Sequence, residues 1–165
     1  MTADIVVIDE MKLEEARAVL EIYALGIASG QATFETVVPD WAQWDANHLK
    51  MCRLVARLPA LIVGWAALSA ASKRIVYAGV AEVSIYVHPS YQRQGIGRKL
   101  LEELIRRSED AGFWTLQSSM FPENTASVAL HQKCGFRVVG RREKIARLND
   151  TWRDTLWMER RSNLY

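Results

Sequence analysis

The spacing of apolar positions divides the 165-residue chain into short strands and amphipathic helices. Apolar residues recur every three or four positions in segments 13–27 and 100–111, a spacing that predicts helices. Two shorter helices are expected after Pro39-Asp40 and after Asn124, because Asp and Asn favour the N-cap position. Alternating or short apolar runs indicate strands at 5–8, 53–57, 61–68, 81–88, 115–120, 136–142 and 155–160. This order predicts an α+β fold, a mixed sheet with helices on both faces.

Composition narrows the class of protein. A length of 165 residues suits one domain, 1–165, and half of the residues are hydrophobic. A net charge of +2 gives no reason to expect a nucleic-acid partner. Cys52 and Cys134 have no metal-ligand spacing, and the three histidines show none either, so no metal is expected. Without a signal peptide or a bilayer-length apolar run, we expect a reduced, cytoplasmic protein with no membrane contact.

The most informative segment is 83–101, in which an alternating strand runs through a polar loop into an amphipathic helix. Gly95 and Gly97 lie where the helix begins, so free N–H groups and the helix dipole favour an anion there. Arg98 and Lys99 occupy the first turn, where their charge opposes the dipole unless a multiply charged anion binds. The alternative is a tight turn with two solvated cations. The spacing matches neither a P-loop nor a dinucleotide fingerprint.

Two motifs carry a resemblance to a known family. The loop Gln92-Arg93-Gln94-Gly95-Ile96-Gly97 resembles the Q/R-x-x-G-x-G/A pyrophosphate loop of the GNAT superfamily of N-acetyltransferases. Segment 124–136, Asn-Thr-Ala-Ser-Val-Ala-Leu-His-Gln-Lys-Cys-Gly-Phe, resembles a second element of that superfamily, N-x-x-S-x-x-L-[H/Y]-x-x-x-G-F. Both occur in the family's order and about the right distance apart.

The resemblance implies acetyl-CoA as co-substrate, no metal, and a GNAT fold, whose mostly antiparallel mixed sheet has a splayed central strand pair. The loop amides would hold the pyrophosphate and the free backbone of the preceding strand would hold the pantetheine. It also implies a homodimer. The residues expected to bind the cofactor are Ile85, Tyr86, Val87, Gln92, Arg93, Gln94, Gly95, Ile96, Gly97, Arg98 and Asn124.

Within the superfamily the chain looks most like the phosphinothricin and methionine sulfoximine acetyltransferases. The residues behind this resemblance are Ile22-Tyr23, Thr33-Phe34-Glu35, Gly64-Trp65-Ala66, 81–87 and Trp152-Arg153-Asp154. It implies direct transfer of acetyl to the α-amine of a small amino-acid-like acceptor, with no covalent enzyme intermediate.

Acetyl transfer requires the amine to lose a proton and the departing thiolate to be protonated or tolerated. Glu82 is the expected general base, since the family places a glutamate here and a partly buried carboxylate has a raised pKa. The alternative is a strand glutamate paired with a cation.

His131 is expected to act on the thiolate, because the phosphinothricin group has histidine at this position. The alternative is a packed histidine without a catalytic role. Asn124 is expected first as a helix N-cap.

The resemblance assigns Thr33, Phe34 and Glu35 to the wall of the acceptor site. Arg74 is the candidate cation for an acceptor carboxylate, which it could bind through two parallel hydrogen bonds. Other acceptors stay open, namely a protein N-terminus or a polyamine, as does a CoA-binding module without catalysis. An acidic acceptor site would favour polyamines, and the sequence shows no such lining.

Overall fold

A computed structural model describes residues 5–165 of the chain. Its helices and strands follow the predicted order, and short 3₁₀ turns occupy Leu13–Glu15, Ile75–Tyr77 and Pro89–Tyr91. The helices are α1 (Ala16–Ala28), α2 (Trp41–Asn47), α3 (Ile96–Asp110) and α4 (Thr125–Lys133). The strands are β1 (Val7–Glu10), β2 (Leu54–Leu58), β3 (Leu61–Ala70), β4 (Val80–Val87), β5 (Thr115–Met120), β6 (Arg137–Leu148) and β7 (Thr151–Arg161).

The seven strands form one sheet in the order β1-β2-β3-β4-β5-β7-β6. Each neighbouring pair is antiparallel except β4 and β5, which run parallel. The mixed, mostly antiparallel α+β sheet predicted from the sequence is therefore confirmed.

Each face of the sheet is covered by helices, because side chains of a strand alternate between its two faces. On β3, Ala66 and Leu68 join the core beneath α3, whereas Trp65 and Ala67 join a second core beneath α1 and α2. The α3 core holds Leu100, Leu101 and Leu104, and the second core holds Val19, Ile22 and Trp44.

The central parallel pair separates after a short contact. β4 and β5 pair at three positions, and the last of these is Glu82 opposite Gln117. Beyond it β4 continues to Val87 and β5 to Met120 without pairing to each other. The splayed central pair is thus confirmed, and the cleft described below opens at this fork.

Some strand bounds differ from the predicted ones. The first strand begins at Val7, not at residue 5. β6 and β7 continue to a turn at Asn149-Asp150, so each is longer than predicted. The register shifts between Arg142 and Ala146, where Lys144 has a φ of 45°. Such a bulge interrupts the alternation of side chains, which explains why the sequence pattern lost the strand there.

Candidate active site

A cleft of about 340 Å³ opens at the fork between β4 and β5. Its walls come from β4, β5, β7, α4 and the segment that follows α1, and Glu82, His131, Asn124, Thr33, Phe34 and Glu35 all line it. A larger concavity of about 540 Å³ lies around Cys52 and Arg107 and contains none of the predicted site residues. The fork is the candidate site because predicted residues from separate segments of the chain converge on it.

Glu82 lies at the start of the cleft, and its carboxylate has no partner among the described residues. Its backbone lies between Ser69 of β3 and Gln117 of β5, and its side chain is half-buried. Within residues 5–165 the carboxylate makes no hydrogen bond and no ion pair, so the alternative of a strand glutamate paired with a cation finds no partner. A half-buried acceptor without a partner is available to take a proton from a bound amine.

His131 is one of the most deeply buried polar residues, with 1% of its surface exposed. Its Nδ1 lies 2.8 Å from the carbonyl oxygen of Ser127, which fixes the proton on Nδ1 because a carbonyl can only accept. Nε2 is buried and has no hydrogen-bond partner among the described residues. Burial lowers the pKa of His131 from its usual value, so the ring is neutral at pH 7.

This geometry refines the role predicted for His131. In the neutral ring the unshared electron pair is on Nε2, so that atom accepts a hydrogen bond or a proton and cannot donate one. His131 could protonate a thiolate only after Nε2 had first taken up a proton.

The acceptor wall predicted at residues 33–35 does line the cleft. The Phe34 ring meets the edge of Phe121 at a centroid distance of 4.9 Å, and the Thr33 hydroxyl oxygen accepts from the Glu35 amide at 3.1 Å. Burial, and to a lesser extent the nearby Glu35 carboxylate, raise the pKa of Tyr23, which also lines the cleft.

Arg74 does not share this location. It is exposed, precedes the turn Ile75–Tyr77, and its guanidinium lies 5.6 Å from the centre of the Tyr77 ring. The position of Arg74 within a single chain therefore does not support the prediction that it binds an acceptor carboxylate.

The charge of the cleft also departs from expectation. Among the described residues that line it, the acidic side chains are those of Glu35 and Glu82, and none is a lysine or arginine. The prediction that the acceptor site has no acidic lining was wrong. Glu35 and Glu82 were each predicted at the site, one as a wall residue and one as a base, but the combined charge of these two carboxylates, 47 positions apart, was not taken into account.

The phosphate loop has the conformation its glycines suggested. Gly95 is the N-cap of α3 with a φ of 78°, and a Cβ built there would meet no atom within 4 Å. The amides of Ile96, Gly97 and Arg98 have no hydrogen-bond partner within residues 5–165, as expected for a first helical turn. Gly97 differs, because it lies inside the helix and its Cβ would come 3.2 Å from Leu130.

Side chains of the loop hold its shape and leave the amides of Ile96, Gly97 and Arg98 free. Gln92 donates through Nε2 to the carbonyl of Val87 at 3.3 Å, and Gln94 donates to Ser90 at 3.4 Å. The Arg98 side chain pairs with Glu102 at 2.7 Å, which offsets its unfavourable charge at the helix start.

The other expected cofactor contacts also face the fork. Ile85, Tyr86 and Val87 pair with β3 on one side and with no strand on the other, so this edge of β4 is open except at the Val87 carbonyl, which accepts from Gln92. Asn124 is confirmed as the N-cap of α4, since its Oδ1 accepts from Ser127 N at 3.2 Å. Its Nδ2 donates to the carbonyl of Gln31 at 3.3 Å, linking α4 to the acceptor wall.

Comparison with known proteins identifies the family of this chain. Residues 18–136 match the model of the Acetyltransferase (GNAT) family. The chain is 33% identical over 156 residues to a phosphinothricin N-acetyltransferase from Alcaligenes faecalis, which covers 91% of this chain and 79% of that one. It is 35% identical over 78 residues to an L-methionine sulfoximine/L-methionine sulfone acetyltransferase from Salmonella typhimurium, covering 47% of this chain and 46% of that one.

A solved structure gives the same assignment. The GNAT superfamily phosphinothricin acetyltransferase from Sinorhizobium meliloti, in complex with AcCoA, matches with a TM-score of 0.87 and 28% identity over 94% of this chain and 88% of that one. The chain belongs to the GNAT family and is an acetyl-CoA-dependent N-acetyltransferase. Its free loop amides and open strand edge fit the pyrophosphate and the amide-bearing arm of that co-substrate.

Two further observations concern what the described residues lack. None of the helices in residues 5–165 is long and apolar enough to cross a membrane. The same part of the chain brings no three His, Cys, Asp or Glu side chains together in a way that could hold a metal ion.

Proposed function

We propose that this chain transfers the acetyl group of acetyl-CoA to the α-amine of a small amino-acid-like acceptor, of the phosphinothricin, methionine sulfoximine or methionine sulfone class. The observation that carries the proposal is the unpaired Glu82 carboxylate at the fork of the cleft. The relatives named above support the acceptor class, because acceptors of this kind appear in their names.

In this proposal Glu82 removes the proton that keeps the acceptor amine from reacting. An α-amine is largely protonated at neutral pH, and only its neutral form has a free electron pair. The Glu82 carboxylate accepts that proton, and Glu35 adds a second negative charge that attracts the ammonium form. Acetyl-CoA supplies the activated acetyl thioester, and the amine attacks it directly without a covalent enzyme intermediate.

His131 completes the proton balance. Its Nε2 accepts a proton released as the amine becomes an amide, and the resulting imidazolium then protonates the CoA thiolate. Ser127 keeps the ring oriented for both steps through the Nδ1 hydrogen bond. The proton taken up by His131 thus ends on the leaving sulfur, and the proton taken by Glu82 passes to solvent, which restores the carboxylate.

A second candidate acceptor is favoured by the charge of the cleft. Glu35 and Glu82 without a lining cation suit an amine that carries no carboxylate of its own, such as a polyamine or the N-terminus of a protein. The acidic lining attracts any ammonium group, whereas a free carboxylate on the acceptor would be repelled.

Release of CoA, followed with a thiol reagent, distinguishes the two acceptor classes. L-phosphinothricin and L-methionine sulfone are each compared with their carboxamides, and spermidine and a peptide with an N-terminal alanine are included. The proposal predicts a higher kcat/KM for the free amino acids than for their carboxamides. Preference for the carboxamides, spermidine or the peptide would replace it with the second candidate.

Two further proposals come from the sequence, the first from the resemblance and the second from the composition. We propose a homodimer, which light scattering on the purified protein would test, and a cytoplasmic location, which fractionation of the source cells would test.

A further inference from the structure

Thr155 is a buried threonine of β7 that the mechanism above does not use. It is 4% exposed and lines the cleft, and its Oγ1 has no hydrogen-bond partner among the described residues. A buried hydroxyl without a partner is destabilising, and valine would fill the same space without that cost. A ligand that enters the cleft would supply the missing hydrogen-bond partner of this hydroxyl.

A second buried polar atom of the same cleft shares this property. Nε2 of His131 is also buried and unpartnered, while its other ring nitrogen is occupied by Ser127. Orphaned buried polar atoms are uncommon in folded proteins, so two that line one cleft indicate a ligand surface.

The position of Thr155 assigns it to the acceptor side of the cleft. Met120 opposite Leu156 is the last pair that joins β5 to β7, so Thr155 lies just past the end of β5, next to the segment that begins with Phe121. The Phe121 ring contacts Phe34 of the acceptor wall. The phosphate loop and the free edge of β4 belong to the opposite side of the fork.

We propose that the Thr155 hydroxyl donates a hydrogen bond to an oxygen of the acceptor and is a determinant of acceptor specificity. The inference rests on the proposed function, because it assumes an acceptor with a carboxylate, sulfone or phosphinate oxygen. Glu35 and Glu82 cannot supply such a donor when ionised, since carboxylates only accept. Thr155 thus supplies, at the far side of the fork, a contact that the two carboxylates cannot make.

Thr155→Val tests this directly, because it preserves the shape of the side chain and removes only the hydroxyl. We expect kcat/KM for the acceptor to fall about tenfold or more, the loss typical of one hydrogen bond to a buried group. The KM for acetyl-CoA should not change, and the thermal midpoint should stay equal or rise because a buried orphan is removed. Thr155→Ser should retain most of the activity, and Thr151→Val, at an exposed position of the same strand, should behave as wild type.

Three results would overturn the inference. They are a wild-type kcat/KM in Thr155→Val, a loss confined to the KM for acetyl-CoA, and a loss of activity that Thr155→Ser does not restore. The acceptor is first chosen as the best amine of the CoA-release screen. If that amine has no carboxylate, sulfone or phosphinate oxygen, the proposed acceptor class fails. Thr155→Val, measured with the same amine, still decides whether the hydroxyl contacts an acceptor.

Discussion

Glu82 and Gln117 form the last residue pair that joins β4 to β5. The two strands separate immediately beyond this pair, so the Glu82 carboxylate lies where the cleft begins. A parallel pair that is joined for three positions exposes unpaired backbone on both of its strands. One structural event therefore creates both the open strand edge for the cofactor arm and the position of the expected base.

The phosphate loop can be tested with a matched pair of glycine variants. Gly95 and Gly112 lie at opposite ends of α3, both with positive φ and with open space around the missing Cβ. Valine strains the backbone at either position, but only Gly95→Val places a branched side chain at the expected pyrophosphate site. Calorimetry should show acetyl-CoA affinity reduced about tenfold or more in Gly95→Val and unchanged in Gly112→Val.

Equal affinity in the two folded variants would remove the loop from the cofactor site. Gly97→Val is a poor choice for this test, because its side chain would collide with Leu130 and disturb the packing of α3 against α4.

The protonation state assigned to His131 is open to nuclear magnetic resonance. With burial lowering the pKa of this ring below its ordinary value of 6.5, we expect a neutral imidazole at pH 7. Its proton should be on Nδ1, donated to Ser127 O, and its Nε2 should have the ¹⁵N shift of an unprotonated nitrogen. As the pH falls, the ring should become protonated only below pH 6.5. An imidazolium, or a neutral ring with its proton on Nε2, would contradict the role given to His131.

Gly26 of α1 allows the Tyr86 ring to occupy its place beside the cleft. A Cβ at Gly26 would come 2.6 Å from Cδ1 of Tyr86, whose ring is stacked on Trp65 at 4.9 Å. We expect Gly26→Ala to destabilise the fold by about 1–3 kcal/mol through overpacking, although alanine itself favours a helix. Gly140→Ala is the control, because its Cβ would enter open space. Equal urea midpoints for the two variants would show that the Tyr86 ring is not confined.

Local features of the fold were predictable because their cause is local. The spacing of apolar residues along α3 and the positive φ required at Gly95 are both visible in the sequence, and both are present in the structure. The hairpin of β6 and β7 was predicted too short, since the bulge near Lys144 breaks the alternation on which strand prediction depends.

The composition of the cleft was less accessible, because it depends on which distant segments meet. Glu82, His131 and Phe34 were identified through the family motifs, and the structure brings them to one cleft. Thr155 gave no signal, since a threonine in a strand is ordinary and only its burial without a partner makes it informative. Likewise, no residue near Arg74 indicated in advance that this arginine would lie outside the cleft.

The most direct test of this account is the pH dependence of kcat/KM for L-phosphinothricin at saturating acetyl-CoA, in the wild type and in Glu82→Gln. The amide keeps the shape of the side chain but cannot take a proton. We predict a fall of roughly a hundredfold or more at neutral pH, which narrows at higher pH as the acceptor amine loses its proton to water, and unchanged binding of acetyl-CoA. A Glu82→Gln variant with near-wild-type turnover and the same pH profile would contradict the account.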